Sequence, residues 1–319
     1  MKTPLLFLLA CALSASASAG APRFIYSPYK HLPKPAPLFI EADNKLSGAG
    51  GLSWAFATGE CGDEKWGLYS GQQVADANVR AFNEAGMGYV VSTGGEGGVF
   101  TCATDEGMER FIARYDSPRL QGLDFDIEAN QSAEQVDSLI LRIKAAQIKH
   151  PQLRYSFTVA THAASDGSNK SLNAQGEAIL ATLRRHGVRD FTFNLMVMDY
   201  GPGTHKVCVL KSGKGMGCDM GKSALQAARN VSRKYALPMT QLELTPMIGV
   251  NDVVENVFTL EDARLLASQV HKMKLAGLHF WSLGRDRPCK VPTPTADATC
   301  SSTDAAAGAY DQAMNGAAR

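Results

Sequence analysis

Three carboxylates at alternate positions, Asp124, Asp126 and Glu128, are the densest chemistry in this chain. Leu123, Phe125 and Ile127 fill the positions between them. Successive side chains of a strand point to opposite faces, so this spacing puts the acids on one face and the apolar residues on the other. Carboxylates resist leaving water, and a strand with only a structural task has no reason to align three of them. Residues two apart on a strand lie about 6.5 Å from each other. Three acids this close cannot all ionise cheaply, and at least one pKa must rise. Glu128, the outermost, then suits a general acid, protonated at neutral or mildly acid pH. Asp126 is expected as its hydrogen-bonded partner, with Asp124 a buried group sharing a proton with Asp126. A divalent-metal cluster is the competing reading. No H-x-E, H-x-H or EF-hand spacing completes one, so neither metal nor cofactor is expected.

Presenting these acids requires a rigid floor. Short apolar runs at Phe24–Tyr26, Leu52–Ala57, Tyr89–Ser92, Leu120–Glu128, Arg154–Thr161, Phe191–Met198, Leu242–Val250 and Leu278–Leu283 read as eight strands. The first is closed by Ser27-Pro28. Helical spacing recurs at 71–85, after a Ser132 cap, and at 178–186, 222–235 and 260–275. Strands alternating with helices force parallel neighbours and right-handed crossovers. Eight such units predict an α/β (β/α)8 TIM barrel with its functional loops at the C-terminal ends of the strands. A doubly wound open sheet is the alternative, but no glycine-rich phosphate loop follows the first strand.

The N-terminus reads as a leader. A basic start at Lys2, an apolar run to Leu13 and small residues at Ala17-Ser18-Ala19 predict a signal peptide over 1–19. Cys11 could instead carry a lipid anchor. Both readings export the protein. Residues 20–319 are expected as one catalytic barrel, ending in a disulfide-tethered tail with one Ala-rich helix. The six cysteines after the leader fit three disulfides in an oxidising compartment, and locality favours Cys61–Cys102, Cys208–Cys218 and Cys289–Cys300. Zinc is the weaker alternative, because no paired C-x-x-C is present. A net charge of +1, without a basic stripe interleaved with aromatics, excludes a nucleic-acid partner. After the leader no run is apolar enough to cross a bilayer, and a monomer is expected.

The acid series resembles the D-x-x-D-x-D-x-E signature of the family-18 glycoside hydrolases, the chitinases and their relatives. Gln121 stands where the signature has its first Asp, which puts the support beneath the acid in question. Ser92-Thr93-Gly94-Gly95 resembles the family's S-x-G-G turn. Met196-Val197-Met198-Asp199-Tyr200-Gly201 resembles the strand-six element in a bacterial form, and Thr245 to Asp252 is similar to strand seven of that branch. Phe280-Trp281-Ser282 resembles the strand-eight Trp under the sugar. The resemblance implies a retaining hydrolase in which the substrate's own N-acetyl carbonyl attacks the anomeric carbon. Glu128 would protonate the leaving oxygen and later activate water, while Asp126 would hold the acetamido N–H. Tyr200 would replace the phenol that Met198 displaces. Substrate contacts would come from Trp281, Met198, Asp199, Met196, Gly94 and Asn251. Trp66 is a further stacking candidate, Asp252 either lines the site or caps a helix, and His162 after strand five reads as a loop residue rather than a catalyst. The implied partner is chitin or chito-oligosaccharides. Alternatives are an endo-β-N-acetylglucosaminidase on glycoprotein glycans, a chitin-binding lectin, and a metal phosphodiesterase that a chelator would stop.

Overall fold

The computed structural model describes residues 23–31, 51–128, 130–212 and 217–316. The expected leader, Cys11, and the stretch with Pro33, Pro35 and Pro37 lie outside them. Eight strands run in chain order: β1 (Ile25–Tyr26 and Tyr29–His31), β2 (Gly51–Ala57), β3 (Gly88–Gly94), β4 (Leu120–Asp126), β5 (Arg154–Ala160), β6 (Thr192–Met196), β7 (Leu242–Thr245) and β8 (Gly277–Leu278). Between and after them lie α1 (Gly71–Glu84), α2 (Asp105–Tyr115), α3 (Ala133–Lys149), α4 (Ala174–Arg185), α5 (Met220–Tyr235), α6 (Leu260–Gln269) and α7 (Ala309–Asn315). All pairings among the eight are parallel, and all but that of β1 with β8 join neighbours in chain order.

β1 closes the ring. Its first half pairs with β8, Ile25 opposite Gly277, and its second half with β2, Tyr29 opposite Ser53. The expected strand stopped at Ser27-Pro28. Instead the chain bends there and resumes, since Pro28 has no N–H to give but its carbonyl accepts from Ser53 N at 2.9 Å. The architecture is the predicted α/β barrel.

Several boundaries differ from expectation. β7 ends at Thr245 because Pro246 follows, and Gly249–Val250 turns away to pair antiparallel with Val257–Phe258. β8 is short, yet Trp281 N still donates to Pro246 O and Ile248 N to Trp281 O, both at 2.9 Å. β4 stops at Asp126, two residues before Glu128. Helix α6 ends at Gln269 rather than Leu275. Helix α2 was not anticipated. Thr104 caps it, and Met108, Phe111, Ile112 and Tyr115 form its buried stripe. Ser132 caps α3 as read, in a reciprocal box with Gln135.

The three disulfides are Cys61–Cys102, Cys208–Cys218 and Cys289–Cys300. Among the described residues no helix is long and apolar enough to cross a membrane. Leu123, Phe125 and Ile127 are buried on the outer face of β4 and its extension. The inner face of the barrel is polar. Tyr29, Ser92, Asp124, Ser156, Thr158, Asn194 and Thr245 are buried there, each bonded to at least one other, and Glu243 is buried with them. At the N-terminal end, Glu243 pairs with Arg154 and accepts from His279 Nε2 at 2.8 Å.

Candidate active site

At the C-terminal ends of the strands opens a cleft of about 510 Å³. Asp126, Glu128, Met196, Met198, Asp199 and Trp281 line it, as do Glu96, Phe56, His162 and Asp252. Strand alternation brings Asp126 inward, and the chain carries Glu128 past the strand end to the rim, where it is half-buried.

Asp124 lies beneath the cleft wall rather than on it. Its carboxylate accepts four hydrogen bonds: from Tyr29 and Ser92 on Oδ2 at 2.8 and 2.6 Å, and from Ser156 and Thr158 on Oδ1 at 2.7 and 2.8 Å. Burial raises its pKa, and these four donors oppose the rise. Asp126 is buried too, with nothing bonded to Oδ1. Burial, then the charges of Glu128 and Asp124, raise its pKa well above the carboxylate range. Of the two, Asp126 is pushed further toward its protonated form. The expected hydrogen bond from Asp126 to Glu128 is not formed among the described residues; the two groups act on each other through charge. Burial, then Glu96 and Asp199, push Glu128 up to about 7.

Loops after β6 and β7 build the facing wall. Asp199 adopts a left-handed backbone (φ 48°), which Asp tolerates better than most residues. Its Oδ1 accepts from Val253 N at 2.8 Å. Asn251 does not reach the cleft. It is buried, donating to Met247 O and Gly249 O at 2.9 and 3.1 Å, and so braces the wall. Gly94 is structural as well, since a Cβ there would sit 2.1 Å from Asp126 O. Tyr200 is also outside the cleft lining; its ring is packed in the core and its hydroxyl is buried without a partner. Trp66 is 1% exposed and donates to Tyr115 Oη at 2.7 Å, so it is no stacking surface. Gln121 is exposed at the opposite end of the barrel, beside Gly51 and Gly88, and does not touch the support of Glu128.

Trp281 stacks on Phe56, ring centroids 5.5 Å apart at 17°. With Met196, Met198 and Met247 they give the cleft an apolar floor. Strand alternation hid Phe56, because it would place that residue with Leu52 and Trp54 on the outer face. A register shift between Trp54 and Ala57 turns it to the cleft. Glu96 sits in a glycine-rich turn that carried no helix or strand signal. Among the described residues, the one cluster of possible metal-ligand atoms is Glu60 with Cys61 and Cys102, whose thiols form a disulfide.

A parallel (β/α)8 barrel whose cleft holds a glutamic acid of raised pKa, a second buried carboxyl and an aromatic floor has the groups that hydrolysis of a glycosidic bond needs. Comparison with known proteins narrows the class. The chain is 28% identical over 246 residues to a probable bifunctional chitinase/lysozyme of Escherichia coli, covering 70% of this chain. It is 26% identical over 293 residues to endochitinase 11 of Metarhizium anisopliae, covering 85%. It spans 26% and 54% of those relatives' own lengths. The catalytic domain of a hyperthermophilic chitinase from Pyrococcus furiosus superposes with a TM-score of 0.73 at 26% identity, covering 93% of this chain and 95% of that one. No protein-family profile matches the chain. These relatives and the superposed structure are chitinases or chitinase domains, the group whose signature the acid series resembles.

Proposed function

We propose that this protein is a secreted chitinase that cuts β-1,4-linked N-acetylglucosamine polymers with retention, assisted by the substrate's own acetamido group. In this reading residues 1–19 are a signal peptide and 20–319 one catalytic unit; three disulfides support an oxidising destination. The observation that carries the reading is Glu128, at the cleft rim two residues beyond the buried Asp126, with its pKa pushed up to about 7. Glu128 donates its proton to the leaving glycosidic oxygen, then takes one from the water that opens the cyclised intermediate. The free Oδ1 of Asp126 is available to the acetamido N–H, and an oxygen held there steadies the positive charge that develops. Trp281 offers its face to the pyranose ring. Release of chito-oligosaccharides from colloidal chitin, but not of glycans from a high-mannose glycoprotein, tests the substrate class.

Two further results are expected. A raised pKa means that Glu128 carries its proton below about 7 and loses it above. The general acid is therefore competent on the acid side, and kcat/KM falls as pH rises through about 7. An alkaline limb in the ordinary carboxylate range would overturn that assignment. Trp281→Ala should raise KM for chito-oligosaccharides about three- to tenfold through lost ring stacking, with kcat less affected. An unchanged KM would remove Trp281 from the sugar site.

A further inference from the structure

We infer that Glu96 and Asp252 make the cleft selective for chains bearing free, protonated amines, that is, for partially N-deacetylated chitin. The inference rests on the proposed function and specifies its substrate further. Among the described residues, five carboxyl side chains line the cleft: Glu96, Asp126, Glu128, Asp199 and Asp252. No Lys or Arg is among the described residues that line it. Asp126 and Glu128 are taken by the chemistry, and Asp199 accepts from Val253 N. Glu96 and Asp252 are exposed, and neither side chain accepts a hydrogen bond or joins an ion pair among the described residues.

Their positions suit a chain lying between them. Glu96 follows β3 and Asp252 follows β7, four strands apart in a ring of eight, so they stand on opposite walls. The nearby guanidinium of Arg285 interacts with the charge of Asp252 but stands outside the cleft lining. Arg285 is 1% exposed, and its Nη2 donates to Ile248 O and Val250 O at 3.0 and 2.6 Å. His162, the basic residue on the lining, is held below its ordinary pKa by burial and by Lys170, so it is neutral at neutral pH. That a ligand belongs between these walls is marked independently by Asp126, 5% exposed, which lines the cleft with an unpartnered Oδ1. A fully acetylated chain leaves both exposed carboxylates solvated. A deacetylated residue brings an ammonium to them, and each such pair at an exposed site adds modest, salt-sensitive attraction.

The test uses Glu128→Gln protein, so that ligands are bound without being cut. Calorimetric titration compares a fully acetylated chito-oligosaccharide with one of equal length that is partly deacetylated, at mildly acid pH. The cationic oligomer should bind about three- to tenfold more tightly at low salt. That advantage should disappear in high salt and when Glu96→Gln and Asp252→Asn are added. Equal binding of the two oligomers overturns the inference, as does a preference that survives salt or the double substitution. Hydrolysis of the acetylated oligomer by the unmodified protein reports separately on the proposed activity. Its absence would reject that reading while the binding comparison still decides this one.

Discussion

Glu128→Gln is expected to lower kcat on chito-oligosaccharides by roughly 10²–10⁴-fold, the usual range for a positioned general acid. The protein should keep its unfolding midpoint and bind oligosaccharide as before. Glutamine matches the shape of the protonated acid, the form that burial and the charges of Glu96 and Asp199 favour by pushing its pKa up to about 7. It has no hydrogen bond among the described residues for the substitution to break. The change therefore removes the transferable proton and little else. A kcat within about tenfold of the unmodified protein, an effect below the general-acid range, would place the acid elsewhere.

The second large effect lies at the other end of the barrel. Glu243→Gln is expected to destabilise the fold by about 3–5 kcal/mol, because it leaves the Arg154 charge buried without its partner. Both side chains are almost fully enclosed, at 1% exposed for Glu243 and 10% for Arg154. Burial alone would raise the pKa of Glu243. The Arg154 charge and the His279 hydrogen bond outweigh it, and the group sits at about 2. A folded pKa below the unfolded value means the pair contributes stability above the ordinary glutamate range of about 4.3. That contribution is lost as pH falls from there through about 2. Denaturant unfolding at neutral pH and at pH about 3, inside that window, checks both parts. The gap between the two proteins should narrow in acid. A loss below 1 kcal/mol at neutral pH, the level of an exposed ion pair, or a gap that ignores pH, would show that the network does not carry the fold.

Much of this was legible in the sequence, for local reasons. The alternation from Leu123 to Glu128 fixed which face of β4 holds acids, since strand period is a covalent property of the backbone. Cysteine proximity gave all three disulfides. What escaped was set by long-range geometry. Tyr29 follows a proline that ordinarily ends a strand, yet its hydroxyl lies 2.8 Å from Asp124. Phe56 faces the cleft through an irregular register that the residue pattern does not encode. Tyr200 and Asn251 were singled out by motif position, but the backbone after β6 and β7 turns them into the scaffold. Helix α2 was a different failure. Met108, Phe111, Ile112 and Tyr115 have the right spacing, and the charged residues between them masked it.

The bend at Ser27-Pro28 bears on when the molecule can become active. The strand it divides holds both edges of the sheet, and Ser27 O meets His279 Nδ1 across 252 residues of sequence. Contacts so distant in sequence form late and slowly, because the chain must give up the entropy of a very large loop to make them. Of the cleft floor, Met247 and Trp281 follow β7 and β8, among the last strands to be synthesised. An unfinished chain therefore has its acid but no platform to hold a sugar against it. Hydrolytic competence arrives only when the two ends of the polypeptide meet.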